Sequence, residues 1–119
     1  MALKGVKIWH NPKCGTSRNA LALLRERGIE PEIIEYLKTP PSIAELSGMV
    51  KRSGLGARAF VRSKEKLYSE LNLSDPKLTD AQIVKALAEN PVLLNRPVVE
   101  TAKGIKPCRP AESVLELLD

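Results

Sequence analysis

A β-prone run that passes through a short loop into a helix lies near the start of the chain and decides the fold. The run is Val6-Lys7-Ile8-Trp9, and the loop after it is His10-Asn11-Pro12-Lys13-Cys14-Gly15. Proline and glycine are typical of loops, and Thr16 or Ser17 can cap a helix that follows. An apolar stripe then continues to Arg27, and Gly28 supplies a stop. The stripe consists of Ala20, Leu21, Leu23 and Leu24. We therefore expect a strand, a loop that carries Cys14, and a first helix.

The middle of the chain predicts a second strand followed by helices. Residues 32–36, after Pro31, form a β-prone run, and a strand-helix-strand unit of this length favours a parallel pair of strands. Two capping-box pairs, Ser42 with Glu45 and Thr79 with Gln82, then open two helices. The stretch from 58 to 73 is less regular and predicts shorter helical turns. Residues 42–90 therefore form a helical insertion.

The last third of the chain predicts a β-hairpin and a final helix. Residues 98–101 and 105–108 are β-prone, and Ala102-Lys103-Gly104 between them suits a turn. Pro110 is expected at the first position of a helix whose apolar face is Val114, Leu115, Leu117 and Leu118. The order βαβ, helical insertion, ββα is that of an α/β thioredoxin-like mixed sheet. We expect residues 1–119 to form a single domain of this class.

The composition favours a small anionic substrate over nucleic acid. The formal net charge is +5, but the 19 basic residues are mixed with 14 acidic ones, and the chain has only one Trp, two Tyr and one Phe for base stacking. No stretch approaches the roughly 18 to 20 apolar residues of a membrane span, and the first five residues lack the apolar run of a signal peptide. We expect a cytoplasmic, monomeric protein that binds neither nucleic acid nor membrane.

Cys14 is the predicted nucleophile. A cysteine at a helix N-terminus is favoured as the thiolate by unpaired backbone N–H groups and by the positive end of the helix dipole. The N–H groups of Gly15, Thr16, Ser17 and Arg18 would also bind an oxyanion beside the sulfur. The alternative is that Cys14 is an inert, small apolar residue.

Three neighbouring features bear on this chemistry. Ser17 stands where a Cys-x-x-Cys motif has its second thiol, so an external thiol is needed to resolve an oxidised Cys14. His10 either stabilises the thiolate or relays a proton, or is simply a packed residue. Cys108 precedes Arg109, and neighbours in an extended chain point in opposite directions, so we expect a buried core thiol at 108 if Arg109 faces the site.

The loop from His10 to Asn19 resembles the active-site loop of the glutathione/glutaredoxin-coupled arsenate reductases, and the resemblance extends from Lys7 to Leu118. Further similar segments are Tyr36-Leu37-Lys38-Thr39-Pro40-Pro41, Arg58-Ala59-Phe60-Val61-Arg62, Asn90-Pro91-Val92-Leu93-Leu94-Asn95-Arg96-Pro97 and Cys108-Arg109-Pro110. Departures from the family pattern are few: Trp9 stands where tyrosine is common, and the chain ends at Asp119 without the tail of some longer members.

The resemblance implies a thioredoxin-like fold, Cys14 as the catalytic residue, and arsenate bound by Arg62, Arg96 and Arg109. From their place in the loop, His10 and Ser17 are added to the predicted catalytic set. It also implies a cis Arg96–Pro97 peptide bond. Glutathione would be a co-substrate and glutaredoxin a partner, with no bound cofactor or metal. Two alternatives share the fold: a redox-responsive regulator that binds RNA polymerase, against which Ser17 and the arginines argue, and a thiol oxidoreductase of another substrate.

Overall fold

The computed structural model describes residues 5–118 and shows a sheet surrounded by helices. Short 3₁₀ helices cover Ala57–Phe60, Pro91–Leu93 and Ala111–Leu117. The strands and α-helices are β1 (Lys7–Trp9), α1 (Gly15–Glu26), β2 (Glu32–Ile34), α2 (Ile43–Ser53), α3 (Lys66–Glu70), α4 (Asp80–Glu89), β3 (Val98–Thr101) and β4 (Gly104–Pro107). This order confirms the predicted mixed α/β class and the helical insertion between the two parts of the sheet.

The four strands form one mixed sheet in the order β2-β1-β3-β4. β1 pairs in parallel with β2, with Ile8 opposite Ile33. It pairs antiparallel with β3, where Ile8 lies opposite Val99, and β3 forms the predicted hairpin with β4. β1 lies between β2 and β3, and the Cys14 loop follows directly after β1. The loop therefore leaves the sheet between the ends of β2 and β3.

Alternate residues of the central strands face two separate hydrophobic cores, as the period of two in a strand requires. Ile8 and Val99 pack with α1 and with the 3₁₀ helix Ala111–Leu117 on one side of the sheet. Trp9 and Val98 pack with α2 and α4 on the other side. The helical insertion therefore supplies the cover of one whole face. No helix among residues 5–118 is long and apolar enough to cross a membrane.

Both predicted capping boxes are confirmed. The Ser42 side chain accepts a hydrogen bond from the Glu45 backbone N–H, and the Glu45 side chain accepts one from the backbone N–H of Ser42. Thr79 and Gln82 make the same reciprocal pair at the start of α4. α2 ends where Gly54 adopts the left-handed conformation, with φ of 70°.

Two sequence predictions about helix ends are wrong. The N-cap of α1 is Cys14 itself, in extended conformation, and not Thr16 or Ser17. Because the helix already begins at Gly15, Thr16 and Ser17 lie in its first turn, where the Ser17 hydroxyl contacts His10. At the other end of the chain, the final helix is 3₁₀ in character, and Pro110 lies at its N-cap and not at its first helical position. β2 also ends two residues earlier than predicted, at Ile34.

Candidate active site

The loop that carries Cys14 is shaped by Asn11. The Asn11 side-chain oxygen accepts a hydrogen bond from the Lys13 backbone N–H at 3.0 Å, which is an Asx turn, and its backbone oxygen accepts one from the Cys14 N–H, also at 3.0 Å. The Arg18 guanidinium closes the outside of the loop by donating to the Pro12 carbonyl oxygen at 3.0 Å. These local bonds hold Cys14 at the N-terminus of α1.

The Cys14 sulfur lies in an environment that favours the thiolate. Burial alone would raise its pKa, but hydrogen bonds from the Ser17 backbone N–H, the Arg96 and Arg109 side chains and the Thr16 backbone N–H outweigh burial and lower the pKa from 9.0 to about 7. Of the N–H groups predicted to form the cradle, those of Thr16 and Ser17 therefore reach the sulfur, while Gly15 begins the helix. A large fraction of Cys14 is ionised at neutral pH.

Arg109 reaches Cys14 from the far end of the chain. Its Nη1 lies 3.7 Å from the Cys14 Sγ and donates to the Arg96 carbonyl oxygen at 2.9 Å. The backbone supports this approach, because the Cys108 N–H donates to the Pro97 carbonyl oxygen at 2.7 Å. The Arg96–Pro97 bond is cis, as the family resemblance implies, and so is Arg109–Pro110, which sequence reasoning did not predict.

Arg62 is brought to Arg96 by a short antiparallel contact between the helical insertion and the segment before β3. Val61 and Leu94 form a β-bridge, and the Arg62 N–H donates to the Leu93 carbonyl oxygen at 2.7 Å. Arg62 and Arg109 share a cavity of about 210 Å³, whose other lining residues are Val61, Ser63, Lys64 and Asn95. All three predicted arginines therefore lie near Cys14. Arg96 and Arg109 contact its sulfur, and Arg62 lies beside them without contacting it.

His10 contacts Ser17 and is not a cation at neutral pH. Its Nδ1 lies 2.6 Å from the Ser17 Oγ, and both residues are buried. Burial, with smaller contributions from Arg25 and Arg18, lowers the pKa of His10 below 6.5, and the nearby Glu35 only partly opposes this. The same Ser17 oxygen accepts the Asn11 backbone N–H at 3.1 Å. His10 and Ser17 therefore hold the loop and the first turn of α1 together.

Cys108 is a buried core thiol, as predicted. It is fully buried and packs in the core that contains α1. Burial raises its pKa to about 11. A thiol of this kind is protonated at neutral pH and is not available as a nucleophile.

Sequence reasoning missed Glu65 and the role of Tyr36. The Glu65 carboxylate forms ion pairs with both Arg62 and Arg96. Its position three residues after Arg62 is a signal for a local charge pair, but nothing local indicates the contact with Arg96. Tyr36 is completely buried, and within residues 5–118 neither its hydroxyl nor the Arg96 Nε makes a hydrogen bond of good geometry, although the Asn11 side chain lies close to the hydroxyl. Burial raises the pKa of Tyr36, so this hydroxyl remains protonated.

A larger groove lies on the other side of the Cys14 loop. It measures about 620 Å³ and includes His10, Pro12, Arg18 and Arg25. Cys14 does not line this groove, and neither do Arg62, Arg96 and Arg109. The arrangement that can carry out chemistry is instead formed by Cys14, Arg96 and Arg109, where a thiol of lowered pKa meets cationic side chains that can bind an oxyanion.

The chain is similar in sequence and in structure to known proteins. Residues 9–117 match the ArsC family. An arsenate reductase of Rhizobium meliloti (strain 1021) is 50% identical over 113 residues, which cover 95% of this chain and 81% of that protein. An arsenate reductase of Escherichia coli is 46% identical over 116 residues, covering 98% and 82%. The solved structure of an arsenate reductase from Vibrio cholerae has a TM-score of 0.89 and 48% identity, covering 95% of this chain and 97% of that one.

Proposed function

Because this chain belongs to the ArsC family, we propose that it is an arsenate reductase that uses glutathione and glutaredoxin as external reductants. The observation that carries the proposal is the Cys14 sulfur, whose pKa is lowered to about 7 between the first turn of α1 and the guanidinium groups of Arg96 and Arg109. A nucleophile and an oxyanion site then coincide. The choice of arsenate as the substrate is supported by the relatives that are named arsenate reductases.

In the first step, the Cys14 thiolate attacks the arsenic of a bound arsenate. An S–As bond forms as the bond between arsenic and one hydroxyl group of the arsenate breaks, and this hydroxyl takes up one proton and leaves as water. Arg96 and Arg109 neutralise the oxyanion as the negative thiolate approaches it, and Arg62 binds a further oxygen. Three guanidinium groups suit this task because each presents several N–H donors in a fixed plane.

In the second step, the glutathione thiolate attacks the Cys14 sulfur. The S–As bond breaks and its electron pair stays on arsenic, which is reduced from As(V) to As(III) and leaves as arsenite. The Cys14–glutathione mixed disulfide is then resolved by glutaredoxin, which restores the Cys14 thiolate. Ser17 in place of a second motif cysteine, and the burial of Cys108, both support an external reductant.

The catalytic roles of His10 and Ser17 are part of the same proposal. Ser17 supplies a backbone N–H to the sulfur, and His10 holds Ser17 through its 2.6 Å contact.

A reducing compartment keeps both cysteines as thiols, which is consistent with action in the cytoplasm. We also propose that the protein acts as a monomer.

A coupled assay tests the proposal. The purified protein is supplied with arsenate, glutathione, glutaredoxin, glutathione reductase and NADPH, and NADPH oxidation is followed. We expect oxidation that depends on arsenate and on glutaredoxin, its loss in Cys14→Ser, and its retention in the matched Cys108→Ser variant. A regulator or a thiol enzyme of another substrate would give no arsenate-dependent oxidation, and activity that survived Cys14→Ser would exclude the mechanism.

A further inference from the structure

The carboxylate of Glu65 lies between two of the arginines of the oxyanion site. We infer that Glu65 is a positioning residue, which orients Arg62 and Arg96 toward the oxyanion through a single shared oxygen atom. The inference rests on the proposed function only in that these arginines bind an oxyanion. It concerns a side chain to which neither the sequence motifs nor the reaction steps above give a role.

Both contacts of Glu65 end on the same atom. Its Oε1 lies 3.3 Å from the Arg62 Nε and 3.4 Å from the Arg96 Nη1. The two arginines come from segments that are distant in sequence, and the shared oxygen therefore fixes one guanidinium relative to the other. This fixes the spacing of the donors that an oxyanion would meet.

The backbone holds Glu65 in place for this contact. The Glu65 N–H donates to the Arg62 carbonyl oxygen at 3.2 Å, which closes a turn between the two residues. Glu65 is also the N-cap of α3, but its side chain makes no capping hydrogen bond there. The carboxylate is thus directed to the arginines and does not serve the helix.

The three side chains are partly buried, which strengthens their mutual interactions. The side chains of Arg62, Arg96 and Glu65 are 21%, 14% and 26% exposed. Two guanidinium groups held near each other repel, and this repulsion is weakly screened where little water is present. The carboxylate offsets the repulsion while the site is empty, so that both arginines stay aimed at the site.

Glu65 leaves the donors that an oxyanion needs. It engages Arg62 at Nε and Arg96 at Nη1, and among residues 5–118 no side-chain hydrogen bond involves the two terminal nitrogens of Arg62. Because a guanidinium is planar, fixing one edge fixes the direction of the other N–H groups. The negative charge of Glu65 has the opposite effect on binding, since it repels an arriving anion. Geometry and charge can therefore be separated by mutation.

Glu65→Gln and Glu65→Ala make this separation. Both variants remove the charge, but only Gln keeps an acceptor oxygen in the place of Oε1. The measurement is the concentration of arsenate, and separately of phosphate, that half-protects Cys14 from alkylation by iodoacetamide. We expect half-protection in Glu65→Ala at a concentration about tenfold above that of Glu65→Gln, the size of one weakened charge-assisted contact. In the coupled assay, the same ratio should appear in KM more than in kcat.

Glu70, at the end of the helix that Glu65 caps, provides the matched control. Glu70 lies in the same helix, is exposed, and pairs with Lys66 at 3.8 Å, so Glu70→Gln and Glu70→Ala should both behave as the wild type. If Glu65→Ala does not fold, Glu65→Met, which keeps the length without an acceptor, takes its place. Half-protection in the Ala or Met variant within twofold of that in Gln overturns the positioning role.

Failure of the proposed function gives a different result. If neither arsenate nor phosphate protects Cys14 in the wild type, the arginines do not form an oxyanion site, and both the function and the role of Glu65 are excluded. If the wild type is protected and the Ala and Gln variants do not differ, only the role of Glu65 is excluded.

Discussion

The Nη1 of Arg109 lies 3.7 Å from the Sγ of Cys14, although the two residues are 95 positions apart in the chain. The same nitrogen donates to the Arg96 carbonyl oxygen at 2.9 Å, so the guanidinium is fixed by the backbone as well as by the sulfur. The site around the thiol at the N-terminus of α1 therefore includes a cationic side chain from the segment after β4.

Cys14 should be alkylated selectively, with an apparent pKa of about 7. The local N–H groups and the arginines favour its thiolate, whereas burial raises the pKa of Cys108 to about 11. The rate of reaction with iodoacetamide, measured from pH 5 to 10 with mass-spectrometric assignment, should titrate near pH 7 at Cys14. Cys108 should stay unmodified in the folded protein. Rapid labelling of Cys108 at pH 7 would contradict the structure.

Replacing Arg109 by Leu should raise the pKa of Cys14, because a hydrogen-bonding cation beside the thiolate is removed. Arg109→Lys keeps the charge without the planar donor group and should lie between Leu and the wild type. The measurement is the pH dependence of the alkylation rate. As a control, Arg25→Leu removes an exposed arginine paired with Glu30 and should leave the Cys14 profile unchanged.

Replacing His10 by Ala should lower the free energy of unfolding by about 1–3 kcal/mol at pH 7.5, because a buried hydrogen-bonded partner of Ser17 is lost. The pKa of His10 is below 6.5 in the folded protein, so its contribution is present above pH 6.5 and is lost as the pH falls through the folded pKa. Urea unfolding between pH 5 and 8 should show a smaller acid destabilisation in the variant. If the free energy of unfolding depends on pH with the same slope in the wild type and in the variant, a buried, neutral His10 is excluded.

Replacing Tyr36 by Phe should leave the free energy of unfolding unchanged or raise it by about 1 kcal/mol. The hydroxyl is buried and makes no hydrogen bond of good geometry among residues 5–118, with only the Asn11 side chain close to it, so its removal deletes a poorly satisfied polar group. Tyr68→Phe, at a partly exposed tyrosine, is the matched control and should change stability by no more than about 0.5 kcal/mol. A loss above about 1 kcal/mol at Tyr36 alone would show that the hydroxyl is satisfied in solution.

Much of the fold could be predicted because its signals are local. The two capping boxes join residues three positions apart, and the strand-loop-helix that carries Cys14 is contiguous in the chain. The burial of Cys108 follows from the alternation of an extended segment once Arg109 is assigned to the site, and that assignment comes from the family resemblance. The expectation of a cap at Thr16 or Ser17 is wrong, because α1 begins at Gly15, directly after the loop, and both residues lie in its first turn.

Local sequence patterns suffice to predict a thiol at the start of a helix, the lack of a second thiol in the same motif, and a helical insertion that begins at Ser42. These properties depend on neighbours within a few residues. The approach of Arg109 to the Cys14 sulfur and the contact of Glu65 with both Arg62 and Arg96 become visible in the folded chain alone. Such contacts form between segments far apart in the chain, and their geometry is set by the packing of the insertion and the hairpin around the sheet. No local pattern encodes that packing.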